Sequence, residues 1–153
     1  MRLPETTHRL FEGAHNVVLT TVNPDGSPQT SLLWGARDGD QIVMGMGKHM
    51  PKVRNIRLNP RVSVLVEDDQ KDERGLNQYL LVYGTATIVG PDIADDYAEL
   101  MDAEARRYLG VEEFLLGPRR PDPDAVIVRV TPHRITGNGP WAQKNVRTAS
   151  TTR

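Results

Sequence analysis

Cysteine is absent from this sequence of 153 residues, which excludes disulfide frameworks and thiolate chemistry. Long apolar runs are also missing, so no segment approaches the length of a membrane span, and the N-terminal stretch lacks the apolar core of a secretory signal. Aromatic residues make up 5% of the chain and the pI is about 6.4, which argues against nucleic-acid binding. We expect one soluble, cytoplasmic unit that contacts neither membrane nor nucleic acid.

Acidic residues are missing from one long stretch, although the formal net charge is only -1. No Asp or Glu occurs between Asp40 and Glu67, and this stretch holds five cations: Lys48, Lys52, Arg54, Arg57 and Arg61. Many of the acids instead fall between residues 92 and 113. The positive charge is therefore a local patch and not a property of the whole chain.

The distribution of β-branched residues predicts a mainly β fold with inserted helices. Six strands are predicted, at residues 16–23, 28–36, 41–46, 61–67, 78–90 and 125–136. Tight turns around Gly26 and Gly39 join the first three strands, which should form an antiparallel meander. Helices are predicted at residues 4–13, 50–58 and 92–109, and a polar loop at 68–77.

The number of strand edges favours a closed or partly closed antiparallel barrel, because closure protects edges from pairing with other chains. Gly84 lies inside a predicted strand and indicates a bulge or a barrel bend. We assign residues 1–140 to the barrel domain and residues 141–153 to a C-terminal tail. Trp141, at the start of that tail, can either close over a pocket or simply be anchored.

The basic stretch has the features of an anion site. Gly45 and Gly47 precede it and let a ligand approach the backbone closely. Lys48 and Lys52 stand one predicted helical turn apart, so both side chains can reach one point beside the free N–H groups of the helix start. A bound phosphorylated small molecule is one interpretation, and a solvated basic helix face is the other. Neither a Walker loop nor a dinucleotide fingerprint is present.

No catalytic side chain can be assigned from the sequence. The histidines show no metal-ligand spacing, so we expect no metal site. No nucleophile–base pair is evident, and hydride chemistry needs none because a cofactor carries the reaction. Trp34 can wall a pocket, and Met44, Met46 and Met50 can pad a flat ring system, although packing in the core is the alternative for each of them.

The order of motifs resembles one known family. A turn with the sequence Asp-Gly, then Lys-x-Arg-Asn from Lys52 to Asn55, then Asn-Pro-Arg-Val-Ser from Asn59 to Ser63 follow one another along the chain. This combination is similar to the pyridoxamine-phosphate-oxidase-like split-barrel family over most of residues 9–137. It looks closest to the short actinobacterial members that use the deazaflavin coenzyme F420.

The resemblance implies a six-stranded split barrel that forms a homodimer, with a flavin or deazaflavin in a groove at the dimer interface. It implies that Lys52 binds the cofactor phosphate and that Tyr79 reaches the cofactor of the other protomer. The strand segments that would line the cofactor are Ser31, Leu32, Leu33 and Trp34, with Gly45 and Met46 beside the ring system. One departure is that Met50 and Pro51 stand before Lys52, where the family often has Arg or Ser. Lys48 or Arg54 would then have to compensate.

The resemblance therefore implies an oxidoreductase that transfers a hydride between F420 and a small organic substrate. Flavin mononucleotide (FMN) shares the phosphate-ribityl portion of F420, so Lys52 does not separate the two cofactors. F420 also carries an acidic oligoglutamate tail, which the excess of Arg54, Arg57 and Arg61 would suit. The alternatives are an FMN-dependent oxidase or reductase and a non-catalytic flavin-binding or haem-binding split barrel.

Overall fold

The computed structural model describes residues 1–114 and 122–142, and one antiparallel sheet dominates it. A 3-10 helix spans Glu5–Phe11, α1 spans Pro51–Leu58 and α2 spans Ala94–Leu109. The strands are β1 (Val17–Val22), β2 (Pro28–Leu33), β3 (Ala36–Asp38), β4 (Gln41–Gly47), β5 (Arg61–Lys71), β6 (Asn77–Val89) and β7 (Ala125–Asn138). Their order in the sheet is β2-β1-β5-β6-β7-β4-β3.

The mainly β, antiparallel class is confirmed, but the sheet has seven strands. The predicted strand at residues 28–36 is broken at Trp34 and Gly35 into β2 and β3. The reason is a side chain from α2: the Gly35 N–H donates to the Tyr108 hydroxyl, which in turn contacts the Gly35 carbonyl. Backbone groups that a continuous strand would use in its ladder are thereby occupied.

The predicted meander of the first three strands is wrong. β2 pairs with β1 at one edge of the sheet, and β3 pairs with β4 at the other edge. Because only residues 34 and 35 separate β2 from β3, the sheet must curl to bring its two edges near each other. No pairing joins β2 to β3 in the described ranges, so the sheet is not closed.

Other predicted boundaries shifted for identifiable reasons. β5 continues to Lys71, into the predicted polar loop, because Arg9 binds both carboxylate oxygens of buried Asp68 and so satisfies an acid inside the strand. The irregularity predicted at Gly84 is confirmed by a register shift between Tyr83 and Gly84. A Cβ at Gly84 would lie 2.5 Å from the Thr131 carbonyl oxygen, which explains the glycine.

The core lies on one face of the sheet, where strand alternation places fully buried aliphatic side chains. Burial of one such Val or Leu contributes roughly 1.5–3 kcal/mol. On β1, β5 and β6, the fully buried aliphatic side chains are Val17, Leu19, Val64, Val66, Leu80 and Val82. On the opposite face of the sheet, the residues of β1 and β2 are half-buried or exposed.

α1 lies against β1 and β6 and is fixed in place by a buried amide. The Asn55 Nδ2 group donates to Thr21 Oγ1 at 3.1 Å and to Asn23 Oδ1 at 2.9 Å. Asn55 and Val53 are both fully buried, whereas Lys52 is half-buried and Arg54 is exposed. This orientation leaves the N-terminal turn of α1 beside β2.

α2 lies over β4 and β7, and a glycine in β4 permits this contact. A Cβ at Gly45 would meet the Tyr97 ring at 2.8 Å and the Met101 sulfur at 3.0 Å. α2 ends at Gly110, which has the left-handed φ of 69° that glycine adopts without strain. The predicted helix is therefore confirmed, and Gly45 serves helix packing in this structure.

Trp141 is anchored in the core and does not close over a pocket, so the second of the two interpretations of this residue is the correct one. It is buried in the main core cluster, and its Nε1 donates to the Tyr79 carbonyl at 3.0 Å. The Arg9 guanidinium lies 6.0 Å from the centre of its ring. Residues 143–153 of the predicted tail lie outside the described residues, and the boundary at residue 140 stays a prediction. Within the described ranges, no helix has the length and apolar character to cross a membrane.

Candidate functional site

Lys52 contacts Ser31 at the start of α1. The Lys52 Nζ donates to Ser31 Oγ at 3.2 Å, and no carboxylate of the described residues lies within ion-pair distance of it. Burial lowers the pKa of Lys52, because desolvation disfavours the charged form. The structure thus joins two residues that the family resemblance assigned to the cofactor.

One backbone donor of the first turn of α1, the Lys52 N–H, adds to this positive site. The N–H groups of Val53 and Arg54 bond to the Met50 carbonyl, whereas no acceptor for the Lys52 N–H occurs among residues 1–114 and 122–142. Met50 caps the helix without a side-chain hydrogen bond, and Pro51 begins it. Met50 and Pro51 are both exposed, so neither blocks an anion from reaching this turn.

Lys48 does not share the position of Lys52. It precedes α1, and its Nζ lies 2.7 Å from Asp124 Oδ1, an ion pair that lowers the pKa of Asp124. Its backbone N–H also bonds to the Asp124 carbonyl. The expectation that Lys48 and Lys52 converge from one helix is wrong. Such an arrangement needs a helix that includes Lys48, whereas α1 begins at Pro51.

The three arginines of the basic stretch are exposed. Arg54 and Arg57 lie on the solvent face of α1, and Arg61 is the first residue of β5. In the described part of the chain, none of the three forms an ion pair with a carboxylate. Arg61 lines an open cleft together with Tyr83 and His133, so it lies apart from the other two.

A cavity of about 330 Å³ lies between the end of β2, β4 and α2. Four residues of the predicted cofactor set line it: Leu32, Leu33, Trp34 and Gly45. The remaining lining residues are Asn16, Met101, Glu104 and Phe114. The structure therefore brings four of the six predicted strand positions together around one cavity and adds a wall from α2.

The aromatic wall of this cavity is held by α2. Trp34 stacks on Tyr108 with ring centres 5.2 Å apart and planes 6° apart, and the ring of Phe114 meets it edge-on at 5.9 Å. The Arg107 guanidinium donates to the carbonyls of Gly13 and Gly35. These contacts fix the Trp34 ring, which favours the pocket-wall interpretation over plain core.

Of the described residues that line the cavity, Glu104 is the one with an ionisable side chain. It is 1% exposed, and its Oε1 has no hydrogen-bond partner in the part of the chain that the structure describes. Burial raises its pKa to about 7, against a smaller opposing effect of the Arg107 charge. The sequence analysis missed Glu104, although a signal existed: it falls on the helical stripe Tyr97, Met101, Ala105 and Tyr108, which faces the sheet.

Two predicted residues, Met46 and Tyr79, neither line the cavity nor belong to the basic stretch at the start of α1. Met46 is 3% exposed and packs in the main core with Met44, so only its backbone is available to a ligand. Tyr79 is 37% exposed, and its carbonyl is occupied by Trp141. In β5 and β6, Tyr79 opposes Glu67, on the face of the sheet turned away from the core.

The first turn of α1 and the cavity both lie beside β2. Ser31 contacts Lys52 of that turn, and Trp34, the residue after β2, lines the cavity. At about 3.4 Å per residue, Ser31 and Trp34 are roughly 10 Å apart. An anionic group at Lys52 and an apolar ring in the cavity can therefore belong to one ligand. β2 is the edge strand of the sheet, which leaves one side of its backbone available to such a ligand.

One cluster has the residue types of a metal site: His15, Asp68 and Asp69. Both oxygens of Asp68 are bonded to the Arg9 guanidinium. A cation in this cluster would stand beside that fixed positive charge, which opposes its binding. We assign no metal to these residues.

Comparison with known proteins defines the class. The family model described as pyridoxamine 5'-phosphate oxidase matches residues 3–139, and the chain belongs to this family. A solved structure described as an F420 reductase is 31% identical, with a TM-score of 0.69, over 88% of this chain and 98% of the other. No curated protein matches the chain significantly.

More distant structures share the fold. A pyridoxamine 5'-phosphate oxidase-like protein from Listeria innocua is 22% identical, with a TM-score of 0.65, over 87% of this chain and 95% of the other. The haem storage protein HutZ from Vibrio cholerae is 18% identical, with a TM-score of 0.60, over 91% of this chain and 96% of the other. At these identities the likeness extends to the fold alone.

Proposed function

We propose that this protein is an F420-dependent oxidoreductase that transfers a hydride between the deazaflavin and a small organic molecule. The observation that carries the proposal is the contact between Lys52 and Ser31, roughly 10 Å along β2 from the aromatic cavity. A cofactor with a phosphate at one end and a planar ring at the other fits this arrangement.

The residues supply binding and orientation, and the cofactor supplies the hydride chemistry when bound. Lys52 offers a compact positive charge without a carboxylate partner in the described ranges, and its own N–H is available beside it. At about 4 Å and an effective dielectric near 20, one such charge pair gives roughly 4 kcal/mol before desolvation. Trp34 and Phe114 provide flat apolar surface at the other end and keep water from the ring.

The choice of F420 over FMN rests on two observations. Exposed Arg54 and Arg57 follow Lys52 on α1, where an acidic tail extending from the phosphate can reach them. The solved structure at 31% identity is described as an F420 reductase. FMN remains the alternative cofactor because it shares the phosphate end. The likeness to a haem storage protein keeps a non-catalytic carrier as the other alternative.

A second copy of the chain would complete the site. Leu32 lies opposite Val18, Val18 opposite Leu65, and Leu65 opposite Leu81. Cross-strand partners share a face, so this row lies on the face turned away from the core, and none of its members is buried. Tyr79 flanks the row on the same face. An apolar row left open on a sheet fits an interface between two copies.

Titration of the purified protein with F420 and with FMN tests the proposal, with fluorescence and calorimetry as the readouts. We expect F420 to bind more tightly than FMN, in the stoichiometry of one cofactor per protomer. Tighter binding of FMN would make the FMN-dependent enzyme the leading candidate. Binding of neither cofactor, by a protein shown to be a folded dimer, would refute a flavin-type function.

A further inference from the structure

Glu104 presents a carboxyl group to a cavity that is otherwise almost entirely apolar. Among the described residues, the other side chains around it are Leu32, Leu33, Trp34, Met101 and Phe114, with Asn16 as the one further polar residue. Oε1 of Glu104 is buried and has no hydrogen-bond partner within residues 1–114 and 122–142. Proteins rarely leave a buried polar atom without a partner, and such an atom beside a cavity indicates a ligand that supplies one.

The groups around Glu104 do not neutralise it. Arg107 lies one turn further along α2, but its guanidinium donates to the Gly13 and Gly35 carbonyls and forms no ion pair with Glu104. The Tyr108 hydroxyl contacts the backbone of His15 and Gly35. Tyr97, on the same helix, is half-buried. Burial raises the pKa of Glu104 to about 7 in spite of the smaller opposing effect of the Arg107 charge, so the carboxyl stays protonated below about pH 7.

A protonated carboxyl can donate a hydrogen bond through its O–H, which favours a ligand that carries an acceptor. Its O–H needs an acceptor, and a carbonyl oxygen on an uncharged molecule provides one. An amine would bring a second cation near Arg107, and an anion would be repelled whenever Glu104 ionises. The apolar walls favour a flat or compact hydrocarbon body for the remainder of the molecule.

We propose that the cavity between β2, β4 and α2 binds a small, uncharged, largely apolar carbonyl compound, and that Glu104 donates a hydrogen bond to its carbonyl oxygen. That this compound is the oxidoreductase's substrate rests on the proposed function, but the binding site itself does not. Glu104, on the α2 side of the cavity, therefore serves to orient the bound molecule beside the cofactor ring, which the proposed function places on the Trp34 side of the same cavity.

The test uses cofactor-free protein and two matched probes, 1-indanone and indane, which differ in the carbonyl group. Ligand-observed NMR titrations measure binding to the parent, to Glu104→Gln and to Glu104→Leu. Glu99→Gln serves as the control, because Glu99 is exposed on the same helix. We expect indanone to bind the parent about tenfold more tightly than indane below pH 7, the effect of one hydrogen bond.

The pH dependence separates a specific donor from simple apolar binding. In the parent and in Glu99→Gln, the preference for indanone should be lost as the pH rises above 7, since the carboxylate no longer donates. In Glu104→Gln the preference should persist without pH dependence, because the amide still donates. In Glu104→Leu it should vanish at every pH.

Equal binding of the two probes by the parent would overturn the proposal, and so would a pH-independent preference in the parent or a preference retained by Glu104→Leu. Thermal unfolding of each variant shows whether it is folded. Glu104→Gln tests the proposal even if Glu104→Leu does not fold. Parallel titration with F420 distinguishes the two proposals. If indanone binds and F420 does not, only the proposed function is refuted. If F420 binds and the protein shows no preference for indanone, only the inference about Glu104 is refuted.

Discussion

Replacing Glu104 by Gln should stabilise the protein at alkaline pH and change little at acidic pH. Glu104 is 1% exposed and its Oε1 has no partner among the described residues, so ionisation places a charge among apolar side chains. Gln has nearly the same shape and cannot ionise. The substitution therefore removes the cost of that charge while it keeps the packing of α2.

The magnitude follows from the pKa of the carboxyl group. It rises from 4.5 to about 7 on folding, so the folded chain keeps a proton that the unfolded chain has already released. The stabilisation linked to this proton is complete below the unfolded value and is lost as the pH rises through the folded value. A pKa difference of this size corresponds to ~3 kcal/mol. Above pH 8 the parent has lost this amount of its free energy of unfolding.

Chemical denaturation at a series of pH values measures this effect. The informative quantity is the stability of Glu104→Gln minus that of the parent, because other titrating groups, such as Asp68 and Asp72, contribute equally to both proteins. Near pH 4 the difference should be small. It should grow through the window from 4.5 to about 7 and reach ~3 kcal/mol at pH 8. A difference that does not vary with pH would refute the reasoning, and one that grows towards acidic pH would reverse its sign.

Three further predictions concern the cofactor site and the assembly. Affinity for F420 should rise with the length of its glutamate tail and fall with added salt, since Arg54 and Arg57 are exposed and their charges are screened; equal affinity for a tail-free deazaflavin at low salt would remove this argument. Lys48→Ala should weaken F420 binding less than Lys52→Ala does, because Lys48 is already paired with Asp124, and calorimetry compares the two. Leu65→Glu should convert a dimer to monomers in sedimentation experiments, whereas the exposed-turn control Leu76→Glu should not; a parent that sediments as a monomer would contradict the interface.

Local sequence signals placed most elements of the fold, but not the separate strand β3 or the order of the strands in the sheet. Strand alternation and turn residues placed the other described strands and the helices, and Gly84 and Gly110 have the roles that glycine plays at a bulge and a helix end. The break at Gly35 could not be predicted in this way. It depends on Tyr108, 73 residues away in the chain, and propensity carries no information about so distant a hydrogen bond.

The residues of the candidate site also fall into those that could be predicted from the sequence and those that could not. The positions Leu32, Leu33, Trp34 and Gly45 were predicted from resemblance, and the structure gathers them around one cavity. Glu104 was missed because an acid in a helix usually faces solvent, and only its place on the apolar stripe of α2 sets it apart. The ion pair of Lys48 was also missed, since Asp124 lies far along the chain.

The most direct test of the cofactor site is the dissociation constant of F420 for the parent, for Lys52→Ala and for Lys71→Ala. Lys71 is an exposed lysine at the end of β5 and controls for the loss of one positive charge, while circular dichroism verifies folding. We predict that Lys52→Ala weakens binding by about tenfold or more, equivalent to ~1.4 kcal/mol, and that Lys71→Ala leaves it unchanged. Binding by Lys52→Ala equal to that of the parent would show that the phosphate is not held at the start of α1.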